Sequence, residues 1–230
     1  MIGNALRAEI DRYASEMRRS SPIFCKVEDG TLTRAQAQAF LESLRFLGRQ
    51  TPALLLRARG RATATGDDAL AAFYSQALRE AEDHESWPTW DIDPVSTGLL
   101  ETSRGAVPSI GRLLTYLEGV IDTDPILYLV YVLFAEYFTV FVSPEWLRRV
   151  AACEPSPSVV GESFDLDRER VEDILDTIDA RVDDPLKLPA MRQALLETTR
   201  YFEAFSAEVT EERLHDVRPS RQIAPHVSAA

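Results

Sequence analysis

Basic residues, cysteine and histidine are all scarce in this 230-residue chain, and each shortage narrows what it can be. Lysine and arginine number 25 against 37 acids, a formal net charge of -12. Nucleic acid, which needs a basic face, is thereby excluded as the main partner. The two cysteines, Cys25 and Cys153, lie far apart and fit no metal-ligand spacing. They read as buried thiols in preference to a disulfide. Of the three histidines, His215 and His226 fall in a C-terminal stretch without periodicity, so His84 is the one histidine of the folded body. The N-terminal segment MIGNALRAEIDRY carries charges through its first turns and lacks the apolar core of a signal peptide, which places the chain in the cytoplasm. Strand alternation, internal repeats and low-complexity segments are missing as well.

What remains is helical. At 45% hydrophobic and 27% charged residues, the chain is ordinary for one globular domain, residues 1–210, followed by a mobile tail, 211–230. An all-α bundle of about seven or eight helices fits that length. Leu6, Ile10, Tyr13 and Met17 recur at helical spacing before Ser20, Ser21 and Pro22 end the run. Thr33 and Gln36 form a capping-box pattern that opens a second helix, and Pro52 is expected to open a third, from Ala53 to Ala64. A fourth starts near Asp68 and is closed by Pro88; the segment 88–108, rich in proline and glycine, reads as a connector. A fifth helix spans Ser109 to Ile121, and the segments DLDRERVEDILDTIDARV and the one after Pro189 supply the last two long helices.

The stretch Asp124 to Val142, DPILYLVYVLFAEYFTVFV, is almost wholly apolar with one carboxylate, Glu136, in its middle. A membrane span would make that acid costly, and no second span exists to partner it. Asp122, Asp124 and Pro125 fit a helix start, so the expectation is a helix buried on all sides in a bundle, with no membrane partner. Buried carboxylates are tolerated when paired, protonated or metal-bound. Glu136 therefore requires a partner. Glu80 and His84, four apart, share a helix face and make a plausible pair of metal ligands, although Glu82, Asp83 and Glu85 crowd the same turn and favour solvent. Trp87, Trp90, Tyr128, Tyr131, Tyr137 and Phe138 are placed to line a small-molecule pocket beside His84 and Glu136, or simply to fill a core.

The segment ALREAEDHESWPTWDIDPVSTG, then the apolar helix with its mid-helix acid, then the entry into DLDRERVEDIL resembles the heme-oxygenase-like superfamily. In particular the order is similar to the heme-oxygenase-like diiron oxidases, the iron-containing redox enzymes, with kinship to the TenA and PqqC branches. PIFCKVEDGTLTRAQAQAFLESLRFL resembles the superfamily's opening, and the resemblance covers Ser20 to Val209. It implies a heme-oxygenase-like bundle, a homodimer, and a diiron site of three histidines and three carboxylates. Carried over, His84, Glu136 and Asp167 match family ligands, with Glu80 one step from the position that falls on Ala81. Ser163 and Arg170 stand where two further histidines are expected.

Arg170 is a permanent cation that cannot coordinate a metal. Pointing inward, it would sit among Glu80, Glu136 and Asp167 and neutralise them; pointing outward, it would pair with Glu169 or Asp173. An alternative register puts Asp165, Glu169 and Glu172 on one face.

Two classes of function follow from the resemblance. One is an enzyme of specialised, natural-product biosynthesis acting on a small molecule, with catalytic residues His84, Glu136, Asp167 and Arg170. It works either with a residual iron (Fe2+) on Glu80, His84, Glu136 and Asp167 and with O2, as an oxidoreductase, or with no cofactor by acid/base chemistry, as in the cofactorless PqqC branch. The other is a non-catalytic homologue that binds a ligand or stabilises a partner enzyme.

Overall fold

The computed structural model describes residues 2–83, 106–141, 146, 149–150, 168–182 and 184–211. Within them the backbone forms eight α-helices and no strand: α1 (Ile2–Ser20), α2 (Pro22–Glu28), α3 (Arg34–Ala64), α4 (Asp68–Asp83), α5 (Pro108–Thr123), α6 (Tyr128–Phe141), α7 (Arg168–Arg181) and α8 (Leu188–Thr210). The class expected from periodicity, all-α, is what is seen. The expected connector at 88–108 falls mostly, and the 212–230 part of the expected tail wholly, outside the described residues, as does Cys153. None of the described helices is long and apolar enough to cross a membrane.

Local chemistry sets several boundaries. The Thr33 side chain accepts from the Gln36 backbone N–H at 3.3 Å while the Gln36 carboxamide oxygen accepts from the Thr33 N–H at 3.0 Å. The expected capping box is therefore present. Thr33→Ala should lower stability by about 1 kcal/mol, the usual worth of an N-cap, measurable as a lower denaturant midpoint with an unchanged slope. Gly66, at φ +76°, occupies the left-handed region that glycine alone enters without penalty, and its turn sends α4 back along α3.

Pro52 does not open a helix. It lies inside the 31-residue α3, which runs through it unbroken. An interior proline costs roughly 3 kcal/mol through its missing donor and ring clash. Burial of Leu47 before it and Leu54, Leu55 and Ala58 after it offsets that cost. A short helix, α2, occupies Pro22–Glu28, where the sequence reads only as a lead-in to the Gly30 turn. Cys25 on α2 is half-buried, not buried, with its thiol 3.6 Å from the Arg19 carbonyl.

The core is contiguous, with buried residues from Ile2 to Val209. α8 is its hub and touches α1, α2, α3, α5 and α6. Phe205 of α8 stacks on Phe40 of α3, centroids 5.3 Å apart, and Phe202 meets Phe134 of α6 at 4.9 Å. Glu208 joins α8 to the start of α5, accepting from the Ser109 N–H at 2.7 Å and pairing with Arg112. Burial opposes ionisation of Glu208, but the Ser109 N–H and the Arg112 guanidinium outweigh it and hold the carboxyl below its ordinary range. A lowered folded-state pKa gives stability that is present above the unfolded value and lost as pH falls through the folded one. Glu208→Gln should therefore show a shallower loss of stability on acidification than wild type, read from denaturant midpoints on either side of the ordinary glutamate pKa.

Candidate functional site

The site is built where α4, α6 and α7 meet. Asp124 caps a 3-10 turn, Pro125–Leu127, by accepting from the Ile126 N–H at 3.2 Å, and α6 follows from Tyr128. From Tyr128 to Phe134 this helix is buried. From Ala135 to Phe138 it is half-buried, which corrects the expectation of burial on every side: Glu136 lies at the rim of the bundle, its side chain 29% exposed.

The partner that Glu136 requires is Arg170. The guanidinium Nε lies 3.0 Å from Glu136 Oε1, and Nη1 lies 3.3 Å from Glu80 Oε2 on α4. One cation thus bridges two carboxylates from two other helices, the inward arrangement of the two open from sequence. Glu80 is also fixed from its own helix, accepting from the Gln76 amide at 2.7 Å. Glu172 pairs with Arg7 of α1; Asp165, its companion in the alternative register, lies outside the described residues. His84, Trp87 and Asp167, with Ser163, lie outside the described residues.

The two expected pocket tyrosines of α6 go to different places. Tyr137 faces α1 and donates its hydroxyl proton to Asp11; burial and that hydrogen bond to the carboxylate push its phenol up to about 12. Tyr128 is wholly buried, stacked on Tyr131 at 5.6 Å and tilted against Tyr74 of α4 at 5.9 Å. Burial, and then the Glu136 charge, push the Tyr131 phenol well above its usual range. Tyr74 was missed in the sequence. Its signal was the four-residue step to Leu70 and Leu78 on the inner face of α4, but nothing there distinguishes a polar role from a packing one.

Glu80 and Glu136 do not fit an iron ion as they stand. Both carboxylates are committed to a guanidinium, and a metal ion placed between them would meet a permanent positive charge at ligand distance. Among the described residues no group of three or more histidine, cysteine or acidic side chains could hold a metal ion. What the cluster can do is hold two carboxylates oriented at a half-exposed rim, with buried phenols behind them.

No protein-family model, curated protein or solved structure matches this chain.

Proposed function

We propose that the chain is a small-molecule enzyme of specialised biosynthesis with a heme-oxygenase-like fold, acting by acid/base chemistry without iron. The observation that supports this reading is Arg170, placed between Glu80 and Glu136 at 3.3 and 3.0 Å. The guanidinium fills the electrostatic role that a metal would have there. Paired with it at 3.0 Å, Glu136 orients and does not exchange a proton with substrate in this reading. Proton transfer then falls to His84, which follows directly on the last described residue of α4, histidine being the side chain most often used for general acid–base work. The cytoplasmic location and the homodimer belong to the same proposal.

A second reading draws on the same two ion pairs. A guanidinium held between acids of two other helices also suits a non-catalytic homologue that binds a ligand or stabilises a partner enzyme. Metal content after anaerobic reconstitution with Fe(II), compared across wild type, His84→Ala and Glu136→Ala, separates the versions. The expected result is no stoichiometric iron in any of them; iron bound by wild type and lost in both variants would restore the oxidase. His84→Ala should abolish turnover in the native pathway, and unchanged turnover would leave the non-catalytic reading.

A further inference from the structure

Behind the ion-pair cluster the structure contains a buried polar atom with no partner. The Tyr128 hydroxyl is shielded from solvent and makes no hydrogen bond among the described residues. An unsatisfied buried hydroxyl forfeits its hydration without compensation, and native proteins seldom leave one without a reason. Its neighbours sharpen the question. Tyr74 has spent its proton on the Pro125 carbonyl, at 2.6 Å, so its donor is unavailable to anything else. Tyr131, stacked on Tyr128, lies within the electrostatic reach of Glu136. The three rings thus form a row from the α4–α6 interface to the Glu136–Arg170–Glu80 cluster, and the middle one holds an unspent proton.

We propose that Tyr128 is a ligand-binding residue, its hydroxyl donating to a neutral carbonyl oxygen of a small molecule seated behind Glu136. The chemical class follows from charge. A phenol this deeply buried stays protonated and offers a donor, so the ligand atom facing it is an acceptor. The described part of the cluster at the rim carries two carboxylates against one guanidinium. A second anion inside it would be repelled and would be desolvated without a cation of its own. An amide, ketone or ester oxygen meets neither penalty, and an aromatic or otherwise flat body beside that oxygen matches the stacked rings.

This inference rests on the reading that the α4–α6–α7 crossing holds a small molecule, and the experiment separates the two. Full-length protein carrying 13C at the tyrosine ζ position is titrated with benzamide, a neutral carbonyl probe, and with benzylammonium, which lacks an acceptor; Tyr128→Phe identifies the Tyr128 resonance. Benzamide should shift that resonance saturably and benzylammonium should not, with benzamide binding about tenfold weaker in Tyr128→Phe. Without probe, Tyr128→Phe should melt at or above the wild-type temperature, since it removes only an unsatisfied group, whereas Tyr74→Phe should melt lower because it strands the Pro125 carbonyl. Three results overturn the inference: no shift with benzamide, equal binding by Tyr128→Phe, or a drop in melting temperature for Tyr128→Phe matching that of Tyr74→Phe, which would mean an internal water already satisfies the hydroxyl. Binding kept in Tyr128→Phe but lost in Arg170→Gln sinks the phenol's role and keeps the site. Binding lost in Tyr128→Phe but indifferent to Arg170→Gln keeps the phenol's role and sinks the assignment of the site to the ion-pair cluster.

Discussion

Arg170→His should bind a divalent ion that the wild type does not. The substitution removes the cation held at 3.0 and 3.3 Å from Glu136 and Glu80 and puts an imidazole on the same turn of α7. Two carboxylates and one imidazole from three helices form a donor set suited to Zn2+, Mn2+ or Fe2+. A dissociation constant near 1 μM, about 8 kcal/mol of binding free energy, would be ordinary for three donors held by a folded scaffold. Titration calorimetry with Zn2+ reads it directly. An isotherm for Arg170→His indistinguishable from that of wild type would show that Arg170 does not stand in for a metal.

Arg170→Met separates the structural part of the same residue. Two carboxylates that shared one cation would then face each other across the gap, and one of them would be pushed up in pKa by the other. Because the two carboxylates are 29% and 37% exposed, water screens the repulsion, and the loss of stability should be about 1–2 kcal/mol, well short of the fully buried case. The sign of its pH dependence is fixed. A carboxyl whose folded-state pKa is raised binds its proton more tightly when folded, so the deficit of Arg170→Met relative to wild type should shrink as pH falls through that raised value. A deficit that stays constant with pH would assign Arg170 a packing role.

The second large effect lies in the core. Phe40→Ala should destabilise the chain by about 3–5 kcal/mol, because the ring is wholly buried, stacks on Phe205 and meets the edge of Trp146 at 5.6 Å. A single two-state unfolding curve shifted by that amount is the expected result. A shift under about 1 kcal/mol would mean that α3 and α8 pack far more loosely than these ring contacts imply.

Some of this was legible in the residues and some was not, for identifiable reasons. Thr33 and Gln36 announced a helix start because both halves of the capping box lie within one turn of sequence. Glu136 announced the need for a partner because charge in an apolar run is costly wherever it folds. The partner itself came from 34 positions downstream on α7, at a place where sequence left two orientations of Arg170 equally open. Pro52 misled because proline is informative about backbone donors and silent about packing, and α3 keeps its course on the strength of buried residues either side. The half-exposure of Glu136 was hidden for a related cause: hydropathy describes the run and not the point at which the bundle ends around it. Tyr128 read as a pocket residue from sequence, but that its hydroxyl would go unpaired while the Tyr74 hydroxyl found Pro125 is a matter of ångströms that no spacing encodes.

α1, and Ser21 just after it, find several of their polar partners on α7 and α8. The Gly3 N–H donates to Asp179 at 2.8 Å, Arg7 pairs with Glu172, the Tyr13 hydroxyl reaches the Thr199 carbonyl at 3.1 Å and Ser21 meets Ser206 at 2.6 Å. At roughly 5–20 residues per second, α1 waits many seconds during synthesis for α7 and α8 to emerge, with its apolar face of Leu6, Ile10 and Met17 uncovered. Contacts of such long sequence separation also slow refolding, since loop closure must precede any return from them. Synthesis therefore leaves α1 exposed until α7 and α8 close over it, the kind of surface that chaperones exist to shield.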